Sequence, residues 1–146
     1  MNKILFLIVI LYVSSFSQVH DKRYTQNAEN GFMWHDFEKR MISKNVKYDF
    51  LSSMLENQRI KNISGNYKDK LSCEDDIKSL QLKVSDSIDL NRIIEMIDLF
   101  YSSKDNLIIP IRYAYCHCIK QLAGFQSAEL DSYRQKLLDF SNSDLE

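Results

Sequence analysis

The sequence predicts an all-α fold: a small single-domain bundle of four main helices plus a short N-terminal helix, set behind a signal peptide. Three observations predict it. Only three Gly and one Pro occur in 146 residues, too few for the tight turns that many short strands require. Apolar residues recur at helical spacing through most of the second half of the chain. Without its leader the chain keeps 129 residues, enough for one hydrophobic core and too few for two.

The chain opens MNKILFLIVILYVSSFSQ, with one positive charge at Lys3, ten uninterrupted apolar residues from Ile4 to Val13, and small polar residues behind them. This is the three-part layout of a secretory signal peptide, and the run is shorter than the ~20 residues that span a bilayer. Ser15 and Ser17 have the −3 and −1 spacing of a cleavage site, so 1–17 is read as the signal peptide and Gln18 as the mature N-terminus. An uncleaved N-terminal anchor is the alternative, because Phe16 is bulky at that junction, and membrane contact would then be confined to this segment. Either way the domain is expected outside the cytoplasm, periplasmic or secreted. No Cys follows the apolar run, which argues against a lipid anchor. Residues 18–30 read as a flexible N-terminal segment, 31–141 as the helical domain and 142–146 as a frayed C-terminus.

Trp34, Phe37 and Met41 make the short first helix, with Trp34-His35-Asp36 as its start. Ser43 precedes a longer pattern in which Phe50, Leu51, Met54 and Leu55 form the apolar stripe, with Val46 and Tyr48 at its margins. Asn62 to Lys70 is polar, contains Gly65 and reads as a loop. Ser72-Cys73-Glu74-Asp75 fits a capping box with Ile77, Leu80 and Val84 behind it. Leu80, Leu82 and Val84 also alternate as a strand would, so over 61–87 helix and irregular structure both stay open. Asp89 is an N-cap candidate for a stripe of Leu90, Ile93, Ile94, Ile97, Phe100 and Tyr101 on a 3.6-residue repeat. A polar turn from Ser102 to Asn106 stops that helix, and Pro110 fits the first turn of the next, where its missing N–H costs nothing. Ile111, Ala114, Tyr115, Cys118 and Leu122 continue the pattern, with Gly124 placed as a C-cap. Ser127 can cap a last helix through Leu130, Tyr133, Leu137 and Phe140. Trp34, Phe37, Phe50, Phe100 and Tyr115 are the expected core anchors.

The formal charge is −1, or about −2 without Lys3, and no basic cluster exceeds pairs such as Lys22-Arg23 and Lys39-Arg40. That balance offers no electrostatic footprint for nucleic acid or anionic lipid. With glycines at 31, 65 and 124, neither G-x-G-x-x-G nor a P-loop can be written, so no nucleotide cofactor is expected. Cys116, His117 and Cys118 stand side by side, but on a helix successive side chains diverge by about 100° and cannot close on one ion or form a thiol–base pair. His35 and His20 are the only other histidines. In an oxidising compartment three cysteines imply one disulfide and one spare. Cys118 lies on the apolar stripe, whereas Cys116 shares the opposite face with Arg112 and Lys120, and Cys73 belongs to a polar helix start. Cys73–Cys116 is therefore the favoured pair, with Cys73–Cys118 kept as the alternative. Glu74-Asp75-Asp76 lacks the D-x-D-x-D-G spacing of a calcium loop and suits a first helical turn. Asn62-Ile63-Ser64 matches a glycosylation sequon. No residue is assigned as catalytic, cofactor-binding or metal-binding.

Two fragments, "NGFMWHDF" and "IDLFYSSKDNLIIPIRYAYCHCIKQLAG", carry an Asn-Gly-x-x-Trp opening and a Phe-Tyr, Asn-x-x-Ile-Pro stretch joining two helices. Over about residues 30–124 they resemble small exported all-helical bacterial proteins of uncharacterised function. In layout the chain is similar to the Tai family of type VI amidase immunity proteins, which are periplasmic, helical and bind a peptidoglycan-cleaving toxin. It lacks that pattern's Cys-Pro before the second half and its cysteine near the C-terminus, and no binding residue is carried across. An apolar, well-punctuated helical core with no convergent polar cluster points to a non-catalytic binding or inhibitory protein of the cell envelope with a protein partner there, and the resemblance implies an immunity-like form of it. A structural envelope component, or a small hydrolytic enzyme assembled from distant residues, are the alternatives.

Overall fold

The structure is a computed structural model that describes residues 21–39, 45–63, 71–83 and 89–143. The signal segment, Met41, Ser43, Gly65, Val84 and the last three residues lie outside the described residues, so the readings placed on them are not tested by it. Two short strands, β1 (Tyr24–Thr25) and β2 (Ala28–Glu29), precede six helices: α1 (Gly31–Lys39), α2 (Val46–Ile63), α3 (Glu74–Lys83), α4 (Leu90–Phe100), α5 (Ile111–Leu122) and α6 (Ser127–Asn142). A 3₁₀ helix over Lys104–Ile108 joins α4 to α5. The mostly helical architecture agrees with the sequence, and among the described residues the uncertain middle supplies one more helix, α3.

Within the N-terminal segment the described residues 21–30 include a hairpin. Tyr24 pairs with Glu29 and Thr25 with Ala28 in an antiparallel hairpin. Its two-residue loop, Gln26-Asn27, has both residues at positive φ, 52° and 57°. That is the turn geometry whose twist matches the two strands, built here without glycine. Asn30 then anchors the hairpin to α1. Its side-chain Nδ2 donates to the Lys22 carbonyl at 2.8 Å and to Thr25 Oγ1 at 2.9 Å, while its Oδ1 accepts the Phe32 N–H at 3.0 Å. So α1 starts at Gly31 under an asparagine cap, three residues before the expected Trp34.

The later helix ends follow local chemistry. Asp89 caps α4 by accepting the Asn91 N–H. Pro110 stands at the N-cap of α5, one position ahead of the helical turn it was expected to enter, and its carbonyl accepts the N–H groups of Tyr113 and Ala114. At the other end of α5, Gly124 N–H donates to Gln121 O and Phe125 N–H to Lys120 O, the double closure that needs a left-handed residue. Gly124 supplies it at φ 89°. A Cβ there would meet nothing within 4 Å, so Gly124→Ala should cost about 1–2 kcal/mol by backbone conformation alone, read as a lowered denaturation midpoint. For α6 the cap is Gln126 rather than Ser127: its side chain and that of Glu129 close a reciprocal capping box. Asn62 and Ile63, expected in a loop, complete the last turn of α2.

α5 is the central element. It packs against α4, α6 and α3, while α2 lies on α1 and α4, and the 3₁₀ turn sits between α1 and α6. Ile111, Tyr113, Ala114, Tyr115, Cys116, Cys118 and Ile119 are all buried on α5, so the helix is covered on both sides. Trp34, Leu51, Ile93, Ile97, Ile109 and Leu137 complete the fully buried centre. Phe100 and Tyr115 are buried, while Phe37 and Phe50 are half-buried at the core's edge and pack on each other at 5.0 Å between ring centroids.

Candidate functional site

The segment that opens α1 and the turn that joins α4 to α5 meet in space. Asn30 bridges to Pro110 as an isolated antiparallel pair. Gly31 lies against the Tyr101 ring and the Leu107 backbone, so closely that a Cβ would sit 2.5 Å from Tyr101 Cδ1 and 2.8 Å from Leu107 Cα. The Trp34 indole N–H donates to Asp98 Oδ1 at 2.6 Å. Lys47 Nζ donates to the same oxygen at 2.6 Å and stands 5.0 Å above the indole ring, so one carboxylate ties α1, α2 and α4. The Tyr101 hydroxyl donates to the Ile109 carbonyl at 2.8 Å, and burial raises its pKa well above the usual phenol value. Asn106 Nδ2 donates to the Phe100 carbonyl, and its Oδ1 accepts Arg134 Nε from α6, both at 2.7 Å. The sequence shows Asn30 and Asn106 only as members of short motifs, the latter within a polar turn, and gives no signal for Lys47, Asp98 and Arg134; Asn30 is also a good N-cap residue directly before a helical stripe.

The Cys-His-Cys triplet sends its three side chains in different directions. Cys116 forms a disulfide with Cys73, with Cα atoms 5.2 Å apart. This is the favoured pairing, but the reason given for it needs correcting: Cys73 is 1 % exposed and Cys116 3 %. Arg112, at the start of the face of α5 that reads as polar, stays exposed, while α3 covers the Cys116 and Lys120 part of that face. There Lys120 Nζ bonds Asp76 Oδ2 at 2.6 Å and lies over the Phe125 and Tyr133 rings. Cys118 is free and buried, and its thiol is pushed up to about 12 by burial, which leaves it protonated and unreactive. Burial likewise pushes the Tyr115 phenol up to about 12. His117 packs between Phe100, at 4.8 Å, and Tyr133, at 6.4 Å between ring centroids. Among the described residues no group of three or more His, Cys, Asp or Glu could hold a metal ion.

His117 has a pKa below its ordinary value, first because it is buried and second because of the Arg134 charge, with Asp131 opposing. The unfolded chain therefore binds a proton that the folded chain refuses, so stability is full above the ordinary histidine pKa of about 6.5 and declines as pH falls from there towards the folded pKa. Denaturation midpoints measured from about pH 7 to pH 5 should show this acid slope. His117→Phe should reduce it.

A half-open cleft of about 420 Å³ lies beside α1, lined by Lys22, Phe32, His35, Asp36 and Lys39. The Lys22 ammonium is 5.3 Å from the Phe32 ring centroid, Lys39 bonds Asp36 at 3.2 Å, and a His35 ring nitrogen is 3.3 Å from the Tyr101 carbonyl oxygen. On α4, Leu99 is 73 % exposed, next to Asp98 of the Trp34 cluster.

The bridge points to an oxidising, extracytoplasmic environment. Among the described residues no helix is long and apolar enough to cross a membrane. Comparison with family models, with curated proteins and with solved structures finds no match.

Proposed function

We propose that the chain is an exported, non-catalytic binding or inhibitory protein of the cell envelope, periplasmic or secreted once its leader is removed, and that it acts on a protein of that compartment. The observation that carries this reading is the work given to its polar side chains. Asp98, Lys47, Asn106, Arg134, Asp76 and Lys120 join one element to another, and among the described residues every buried side-chain N or O atom has a partner. In these residues acid–base and amide groups tie one element to another, and a pre-organised scaffold favours recognition, since little ordering entropy is lost on binding.

The Cys73–Cys116 bridge supports the compartment, and the similarity in layout to the Tai family supports an immunity-like form, in which the partner is a peptidoglycan-cleaving enzyme. The α1 cleft and the exposed Leu99 offer contact surface. The test is affinity capture: the chain is tagged at its C-terminus, expressed in its native envelope, crosslinked, and its companions identified. A stoichiometric envelope protein, above all a peptidoglycan hydrolase, is the expected result. Recovery of the chain alone, or only with copies of itself, would overturn the proposal in favour of a structural component.

A further inference from the structure

We infer that α3 is a redox-held strap, locked across α5 by the Cys73–Cys116 disulfide and released from an otherwise intact bundle when that bond is reduced. The inference does not depend on what the chain binds. It rests on how α3 is attached. Among the described residues α3 packs on α5, its Asp76 bonds Lys120, and the residues just ahead of it are tied down by the Cys73–Cys116 bridge and by the Leu71 carbonyl, which accepts the Tyr133 hydroxyl of α6 at 2.6 Å. Leu80 is its one buried apolar residue among those whose side chains are described, with Ile77 half-buried beside it.

The rest of the bundle is held without it. α4 packs on α5, α5 on α6, α2 on α1 and α4, and the 3₁₀ turn on α1 and α6. The Trp34–Asp98–Lys47 and Phe100–Asn106–Arg134 links likewise bypass α3. With ten residues, α3 is shorter than the ~12–15 residues at which an isolated helix becomes even marginally stable. Its persistence therefore depends on these anchors, and the disulfide is the only covalent one.

A dithiol carries out the reduction: one of its thiolates attacks a bridge sulfur and releases the other cysteine, its second thiolate then attacks the reagent's own sulfur in the mixed disulfide and releases the remaining cysteine, and the reagent leaves as a disulfide while Cys73 and Cys116 each take up one of its two protons. Both sulfurs are buried, so attack waits for a transient opening of α3, and reclosing then has no covalent lock to restore. What is uncovered is the Cys116 and Lys120 face of α5 together with Tyr133 of α6. Cys118, which the structure buries and whose thiol burial keeps protonated, stays in the retained core.

The experiment counts thiols on the folded protein. Oxidised mature chain treated with iodoacetamide should show no rapid adduct. After dithiothreitol, desalting and iodoacetamide, intact mass and peptide mapping should show two adducts, on Cys73 and Cys116, and none on Cys118. Hydrogen exchange on the same reduced sample should rise at least tenfold over 74–83 while 90–100 and 127–142 keep their protection. Asp76→Asn, which leaves the bridge intact, should accelerate the reduction. Three adducts with protection lost throughout would mean that the bridge staples the whole fold. With the bridge shown reduced by the gain of two hydrogens in intact mass, no adduct, or unchanged exchange over 74–83, would mean that α3 holds without it. Either result overturns the inference.

Discussion

Trp34→Ala should destabilise the fold by about 3–5 kcal/mol, the range for deleting a buried large aromatic side chain. Trp34 is fully buried, makes an edge contact with Phe37, and donates one of two hydrogen bonds to Asp98 Oδ1, the other coming from Lys47. The loss therefore combines a cavity at the α1–α2–α4 junction with the loss of a charge-assisted hydrogen bond. Trp34→Phe keeps an aromatic ring, leaves a smaller cavity and removes the N–H donor, so it weights the hydrogen bond more heavily and should cost about 1–3 kcal/mol. Because Lys47 shares the acceptor and the ring, Trp34→Phe and Lys47→Met should be non-additive by ~0.5 kcal/mol or more in a double-mutant cycle. Chemical denaturation followed by circular dichroism measures all four proteins.

Gly31→Ala is the second large effect, about 1–3 kcal/mol from overpacking, and Gly31→Val should cost more. Its cause is space. A Cβ at position 31 meets the Tyr101 ring at 2.5 Å and the Leu107 backbone at 2.8 Å, and Tyr101 cannot swing aside while its hydroxyl is bonded to the Ile109 carbonyl. Leu107 belongs to the 3₁₀ turn that packs against α1 and α6, so relief would have to move backbone. Gly124→Ala is the informative comparison, since that site has open space and an unfavourable φ. Tyr101→Phe, combined with Gly31→Ala, should recover part of the loss by freeing the ring.

The contrast between α4 and the Asn30–Asn106 junction shows which parts of this fold a local pattern can carry. α4 has an apolar stripe, an N-cap at Asp89 and a polar stop, all between Asp89 and Asn106, and each was legible. The junction is made of residues from distant parts of the chain, as when Trp34 meets Asp98 at a separation of 64. No periodicity encodes such a meeting. α5 was legible as a helix and misread on one face, because Arg112 and Lys120 are polar and α3 was undecided. Once α3 lies there, Lys120 turns inward to Asp76 and the cysteines are covered. The hairpin escaped because its turn, Gln26-Asn27, adopts positive φ without the usual glycine.

Asn30, Gly31, Trp34, Tyr101, Asn106, Ile109 and Pro110 each contact another part of the fold. They hold the scaffold, so a partner would be read by other positions. The α1 cleft and the Leu99 patch are the places to substitute. Lys39→Glu in the cleft and Leu99→Ser on α4, both at exposed sites, should leave stability within ~0.5 kcal/mol while weakening any partner that contacts them.

The most direct test of the central claim is a titration. The captured envelope protein is purified, the mature disulfide-bonded chain is added in increments, and both complex formation and the partner's own activity are followed. A saturable complex of fixed stoichiometry, with the partner's activity falling in step with occupancy and the added chain unchanged in mass, is the predicted result. Full partner activity at saturating chain would contradict an inhibitory role, and turnover of an envelope substrate by the chain alone would contradict the non-catalytic reading altogether.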